Sequence, residues 1–452
     1  MITYSIIKKS QIEETHRLDA EYYQPEILEV AKKLDSIPTK TISEISESVL
    51  SFGAYSLTNY IKWEDSGIPY LKVENIKDGF IDFSEVNFIS EEIDKILRKS
   101  QVKEGQVIIT MAGTIGNTAV AHRVPEKVNS NQATAKITLK NGYSPYYLTA
   151  FLNSYYGRKQ IEREIVSSVQ PNIFLWQIKN FKVPILPKEK QKEIEEMYKK
   201  GLNELENSKS LYSQGEDLLL EELGLKDFKV EEDLTYYVKL SDIKSAHRAD
   251  AEYFQPKYGR LIKYLKSKFS LEQLNHLANK QERKIKPNSL EIYKYIEISD
   301  IKTDIGEVHY TERLGADLPP NARIPITGGE LIISKVRPTR KAIAIIPIDL
   351  GNKTICSSAF TVYNLPTPLK EYIFITLRSI IGLFQLEKPT TGTEYPTLND
   401  KDIENLLIPI LPDSTQKKIA TLVQQSHEAR KKAKELLEET KQKVENLIEG
   451  KE

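Results

Sequence analysis

Apolar residues fall in short bursts over two long stretches of the chain, as in "VIIT" (107–110), "TAKITL" (134–139), "KAIAIIPI" (341–348) and "FTVYNL" (360–365), each bounded by glycine, proline or asparagine. Short apolar runs between turn formers predict β-strands. Two segments depart from this rhythm and predict helices, Pro145–Ile165 ("PYYLTAFLNSYYGRKQIEREI") and Leu369–Gln385 ("LKEYIFITLRSIIGLFQ"). After Pro187 the pattern changes to "KEKQKEIEEMYKKGLNELENSKSLYSQGEDLLLEEL", without proline and with a dense charged face. Tyr198, Leu205, Tyr212 and Leu219 recur every seven residues there, and so do Gly201, Ser208 and Gly215. A seven-residue repeat predicts a helical seam, and its small residues predict close approach of a second helix. The stretch from Asp413 predicts that second helix, with a seam of Ile419, Leu422, Ser426, Ala429, Ala433, Leu436, Thr440 and Leu447.

The chain repeats itself. "RLDAEYYQP" (17–25) returns as "RADAEYFQP" (248–256), with seven of nine positions identical. "IPYLKVENIKDGFID" (68–82) matches "YKYIEISDIKTDIGEVH" (293–309), "GQVIIT" (105–110) matches "GELIIS" (329–334), and "IKNFKVPILP" (178–187) matches "IENLLIPILP" (403–412), in unbroken order. Tyr70 and Tyr295 are 225 apart, as are Pro187 and Pro412. A repeat over the whole chain dictates architecture before any local assignment. It predicts two diverged copies of one α+β unit, each ending in a long helix, and a pseudo-two-fold axis with the helices antiparallel.

Composition narrows the class without choosing a function. The 452 residues hold 64 Lys plus Arg and 64 Asp plus Glu, for a net charge of 0, so any basic surface must be local. The single cysteine, Cys356, allows no internal disulfide, and the first residues lack the pattern of a signal peptide. No apolar run reaches the roughly 18 residues of a membrane span. A cytoplasmic, reduced protein without membrane association is expected. Phosphate-binding loops, amino-methyltransferase tetrads and histidine clusters for hydrolysis are missing from the sequence, which points away from an enzyme and predicts no catalytic or metal-ligating residues.

The tandem DAEY-x-QP starts, the G-x-[LV]-I-I-[ST] strands and the P-I-L-P strings leading into long helices together resemble the DNA-specificity subunit (HsdS) of type I restriction-modification systems, over essentially the whole chain. The resemblance implies two target recognition domains, each reading one half of a split, asymmetric site in double-stranded DNA. It also implies two conserved helices that act as a ruler and as a dock for methyltransferase subunits, two in number, with restriction subunits as further partners. S-adenosylmethionine, ATP and magnesium would then belong to those partners, and this chain would bind no cofactor. The expected organisation is a first recognition domain over 1–187, a central spacer helix over 188–224, a second recognition domain over 225–412 and a C-terminal spacer helix over 413–452. Helices of about 35 residues would span about 50 Å, roughly one to one and a half turns of B-DNA.

Shared residues should hold the fold and divergent ones should set the two half-sites, so candidate DNA contacts lie where the copies differ inside a common frame. After "VIIT" the first copy reads "MAGTIGNTAVA", offering Thr114 and Asn117; after "LIIS" the second reads "KVRPTRKAIA", offering Lys335, Arg337, Thr339, Arg340 and Lys341. Arginine can pair bidentately with guanine or clamp phosphate, whereas asparagine and threonine suit adenine edges or methyl groups. The alternative for this basic run is a solvated hairpin tip. A second loop contributes Gln170 and Asn172 ("SSVQPNIF", 167–174) in one copy and Thr391 and Thr393 ("KPTTGTEYPTL", 388–398) in the other. "NSNQAT" adds Asn131 and Gln132, and the strip "KQERKIKP" (280–287) suits phosphate. The DAEY string is expected to be a structural junction at the start of each copy, near the end of the other copy's long helix. The alternative function is a duplicated coiled-coil scaffold that binds proteins and reads no DNA.

Overall fold

The computed structural model describes residues 4–15, 17–52, 55–165, 171–228, 233–392 and 394–451. Two compact units result, one formed by Met1–Leu205 with Lys431–Glu452 and the other by Glu206–Arg430. No described helix is long and apolar enough to cross a membrane.

The described strands of the first unit are β1 (Thr39–Thr41), β2 (Ser46–Leu50), β3 (Ile68–Leu71), β4 (Asn87–Ile89), β5 (Val107–Thr110), β6 (Thr118–Val120), β7 (Asn129–Ser130), β8 (Thr134–Leu139) and β9 (Lys182–Pro184). They form a β1-β9 pair, a four-stranded sheet in the order β2-β8-β5-β6, and a three-stranded sheet in the order β4-β3-β7 in which β3 and β7 run parallel. All four side chains of β5 are buried, which is why "VIIT" is a continuous apolar run rather than an alternating one.

The second unit holds β10 (Leu271–Gln273), β11 (Asn279–Gln281), β12 (Ile292–Ile296), β13 (Thr311–Leu314), β14 (Ala322–Ile326), β15 (Leu331–Ser334), β16 (Ile343–Ile345), β17 (Thr354–Ser357), β18 (Phe360–Asn364) and β19 (Leu407–Pro409). Its sheets run β10-β19, β11-β18-β15-β16 and β13-β12-β17-β14, with β12 and β17 parallel. The order is that of the first unit with β14 added at one edge.

Eight described helices have eight residues or more: α1 (Pro25–Asp35), α2 (Pro145–Asn153), α3 (Tyr155–Glu164), α4 (Lys188–Glu222), α5 (Pro256–Lys268), α6 (Leu369–Arg378), α7 (Ile380–Glu387) and α8 (Asp413–Glu449). Each helix predicted inside a unit is in fact two. Ser154 ends α2 and its hydroxyl accepts from the Gly157 amide to cap α3, while Ser379 does the same between α6 and α7 through Ile381. The corner needs glycine one turn on. A Cβ on Gly157 would lie 2.1 Å from the Phe151 carbonyl oxygen, and one on Gly382 equally close to that of Leu377.

The unit boundaries fall inside α4 and α8 rather than at their ends, because each helix spends its two halves in different cores. Ile194, Tyr198, Leu202 and Leu205 of α4 and Ala433, Leu437, Val444 and Ile448 of α8 join α2 and the β2-β8-β5-β6 sheet in one core. Tyr212, Leu219, Ile419 and Val423 join α6 and α7 in the other. The α4 seam is as the spacing predicts, with Tyr198, Leu205, Tyr212, Leu219, Gly201, Ser208 and Gly215 all buried. On α8 the buried line is Ile419, Val423, Ser426, Ala429, Ala433, Leu437, Thr440, Val444 and Ile448, so Leu422, Leu436 and Leu447 flank the seam, half-buried. The helices run antiparallel in both units, as Lys432 pairs with Glu204 and Lys443 with Glu193, and Ser426 meets Ser208.

Candidate nucleic-acid interface

In the second unit the β15–β16 turn and the loop that follows α7 are joined into one surface. The Arg337 amide donates to the Pro396 carbonyl at 2.8 Å, the Leu398 amide to the Lys335 carbonyl at 2.8 Å, and Val336 bridges Thr397. The Arg337 guanidinium lies 4.4 Å over the ring of Tyr395 and reaches the Glu394 carbonyl at 3.4 Å. Tyr395 is 60% exposed, so this cation sits on an open aromatic platform. Thr339 and Arg340 are exposed and Lys341 is half-buried, and none of their side chains makes an ion pair or hydrogen bond among the described residues.

Lys335 has a different position. Its ammonium pairs with Asp400 at 3.0 Å, as does Lys280 at 3.1 Å. Burial works to raise the Asp400 carboxyl, but the hydrogen bonds from Lys335 and Lys280 outweigh it and hold it at about 2. These two lysines are therefore committed within the fold. Arg283 of the same 280–287 strip pairs with the buried Glu330.

The turn itself is strained. Arg337 (φ 48°) and Lys341 (φ 58°) both adopt the left-handed conformation, which disfavours side chains. In the first unit the equivalent positions of the β5–β6 turn are Gly113 (φ 70°) and Gly116 (φ 83°), for which that conformation is easy. The second unit thus keeps two cations where the same fold takes glycine. The exit of the turn is fixed by Arg378, 1% exposed, which donates to the carbonyls of Lys341 (2.6 Å) and Ile343 (3.1 Å) and to the hydroxyl of Tyr212 on α4 (2.8 Å).

The first unit joins its loops in the same way. The Ile173 amide donates to the Met111 carbonyl at 3.0 Å, and Ala112 bridges Asn172. Thr114 is exposed at the tip. Asn117 is turned inward, since its amide donates to the Ile76 carbonyl at 3.0 Å and its oxygen accepts from Arg158 at 3.4 Å. Gln132 is half-buried, and Asn131 has a buried side-chain oxygen with no partner among the described residues. Thr391 uses its main chain to pair with Thr397 in both directions, at 2.9 and 3.1 Å. Gln170 and Thr393 lie outside the described residues.

The repeated string is an arginine clamp. Asp19 takes two hydrogen bonds of 2.6 Å from Arg17, whose guanidinium lies 4.7 Å over the Tyr22 ring and donates to the Ile165 carbonyl at 3.3 Å. Asp250 takes 2.8 and 2.5 Å bonds from Arg248, which lies 4.5 Å over Tyr253 and donates to the carbonyls of Pro389 and Thr390, both at 2.9 Å. These partners belong to the loop of the clamp's own unit rather than to a long helix. Arg378, Asp400, Tyr395 and the role of the clamp were missed from sequence. The duplication of Arg17-x-Asp19 as Arg248-x-Asp250 was the available signal.

Joined, divergent polar loops beside basic and aromatic side chains offer the donors and cations that phosphate and base edges take up. Residues 37–212 match the family model described as the Type I restriction modification DNA specificity domain. The EcoBI specificity subunit of a type I restriction enzyme from Escherichia coli is 29% identical over 131 residues, which cover 28% of this chain and 27% of that relative. The match thus spans about a quarter of the curated relative's length. Among solved structures, the S subunit of a type I system from M. genitalium (TM-score 0.42, 13% identity, 91% of this chain and 94% of that one) and the HsdS subunit from Thermoanaerobacter tengcongensis (TM-score 0.30, 13% identity, 91% and 96%) are also similar. Over residues 37–212 the chain is thus similar to the DNA specificity domains of type I restriction-modification systems.

Proposed function

We propose that this chain is the non-catalytic, sequence-reading subunit of a type I restriction-modification assembly, in which each unit reads one half of a bipartite, asymmetric site in double-stranded DNA. The units act as tandem homologous recognition domains related by a pseudo-two-fold axis, with α4 and α8 as spacer and as dock for two methyltransferase subunits. Adenine methylation, and cleavage where restriction subunits join, fall to those partners, which bring S-adenosylmethionine, ATP and magnesium, and the assembly works in the cytoplasm.

One observation carries this reading. Apart from the added β14, both units have the same strand order, and both have the same pair of joined loops, yet the loop side chains differ, with Thr114 and Asn172 in one and Arg337, Thr339, Arg340 and Lys341 in the other. A constant frame with variable tips is what two different half-sites require. Selection from randomised duplexes by the chain together with its native methyltransferase subunits tests it. A gapped motif with two unlike halves is expected, and enrichment of a single ungapped motif, or of none, would contradict it.

A further inference from the structure

We propose that the twin Arg-x-Asp clamps are positioning elements for DNA reading, each fixing where its own unit's second recognition loop leaves the helix before it. The inference rests on the reading above for the purpose of the loops, but the clamp itself is visible in the geometry of both units.

In the second unit the loop leaves α7 at Lys388. Its first two carbonyls, those of Pro389 and Thr390, accept one bond each from Arg248, both of 2.9 Å. The remaining guanidinium edge is taken up by Asp250, and the Tyr253 ring has two cations over it, Arg248 at 4.5 Å and Lys388 at 4.8 Å. In the first unit Tyr22 likewise has two cations over its ring, Arg17 at 4.7 Å and Arg163 at 4.1 Å, and Arg17 bonds the carbonyl of Ile165, just past the end of α3. Lys388 and Arg163 are 225 residues apart, the offset that also separates Tyr70 from Tyr295 and Pro187 from Pro412.

A bidentate carboxylate holds a guanidinium plane in one orientation, and charged donors make the stronger hydrogen bonds to carbonyls. Main-chain carbonyls as acceptors let the loop sequence vary without loss of the anchor. The far end of the loop is tied to the other recognition turn through Pro396, Thr397 and Leu398. With both ends fixed, the side chains between them meet DNA in one register. One clamp serves one loop, which is why the chain contains the string twice.

The test uses the full chain with Arg248→Ala and Arg248→Lys variants, and Arg17→Ala for comparison. Hydrogen exchange at the Thr391 and Thr397 amides should accelerate at least roughly tenfold in Arg248→Ala, with a smaller change in Arg248→Lys and none in Arg17→Ala. In duplex selection with the methyltransferase subunits, Arg248→Ala should lose about tenfold in discrimination within one half-site and keep the other, and Arg17→Ala should do the reverse. Unchanged exchange in Arg248→Ala, or equal loss in both halves with a wild-type melting temperature, would overturn the clamp. Faster exchange alongside a wild-type protein that selects no gapped motif would leave the clamp standing and sink the DNA reading instead.

Discussion

Ser426 donates its hydroxyl hydrogen to the main-chain carbonyl of Ser208 at 2.7 Å, and the two hydroxyl oxygens are 3.3 Å apart. Helices can meet in this way only where both present small residues. On either side along α4, a Cβ on Gly201 would come within 3.1 Å of Leu437, and one on Gly215 within 3.1 Å of Ile375.

The seam should therefore tolerate loss of the bond better than gain of bulk. Ser426→Ala should cost about 1 kcal/mol, the net worth of one hydrogen bond. Ser426→Leu should cost about 1–3 kcal/mol or more through overpacking. Thermal melts of the full chain check the order, and a leucine variant as stable as the alanine one would show that the helices do not pack closely here.

Arg337 and Lys341 invite a test that separates stability from reading. Glycine at either position relieves about 1–2 kcal/mol of left-handed strain, against about 0.5–1 kcal/mol for its greater freedom when unfolded. Arg337→Gly and Lys341→Gly should thus melt at or slightly above the wild-type temperature. Both should weaken binding to the half-site read by the second unit, and Arg337→Ala and Arg340→Ala should each cost about 1–3 kcal/mol there if they pair with guanine. Duplex selection is the readout, and altered preference in both halves would contradict one unit per half.

Lys136 on β8 is 1% exposed, and its ammonium bonds the Ser130 hydroxyl at 3.1 Å. Burial pushes it down to about 7 from an ordinary value of 10.5. Between those values the unfolded chain holds a proton that the folded chain does not, so stability should rise with pH by about 1.4 kcal/mol per unit across pH 7 to 10. Lys136→Met should be more stable at pH 7 and should remove this contribution. Melting the first unit's core at pH 7, 8 and 9 decides it, and a variant with an unchanged pH slope would show that Lys136 is charged throughout.

The α4 seam was legible because its apolar and small residues each recur at one spacing. The α8 seam was legible only to within one position. Leu422–Val423, Leu436–Leu437 and Leu447–Ile448 are adjacent apolar pairs, and periodicity cannot choose between neighbours. The partner surface chooses: Leu437 packs on Gly201, and Val423 joins the core of α6 and α7 while Leu422 stays half-buried beside Gly215. Among the loop residues, sequence picked out segments that the structure joins in each unit but could not separate side chains facing out from those already used. Asn117 and Lys335 look as available as Thr114 and Arg340 until Ile76, Arg158 and Asp400 are brought beside them. The clamp was hidden for another reason, since the acceptors of Arg248 are main-chain carbonyls about 140 residues away and leave no side-chain signature.

On the function proposed, α4 and α8 set the spacing of the two half-sites. Four residues inserted after Glu206 would lengthen α4 by about 6 Å. At about 3.4 Å per base pair, the two half-sites should then lie one or two base pairs further apart, with each half unchanged. The direct measurement is a map of modified adenines in host genomes carrying the wild-type gene, the insertion or no gene. The account predicts a gapped motif that vanishes without the gene and widens by one or two base pairs with the insertion. Adenine modification that persists without the gene, or an active insertion variant with the parental gap, would contradict it.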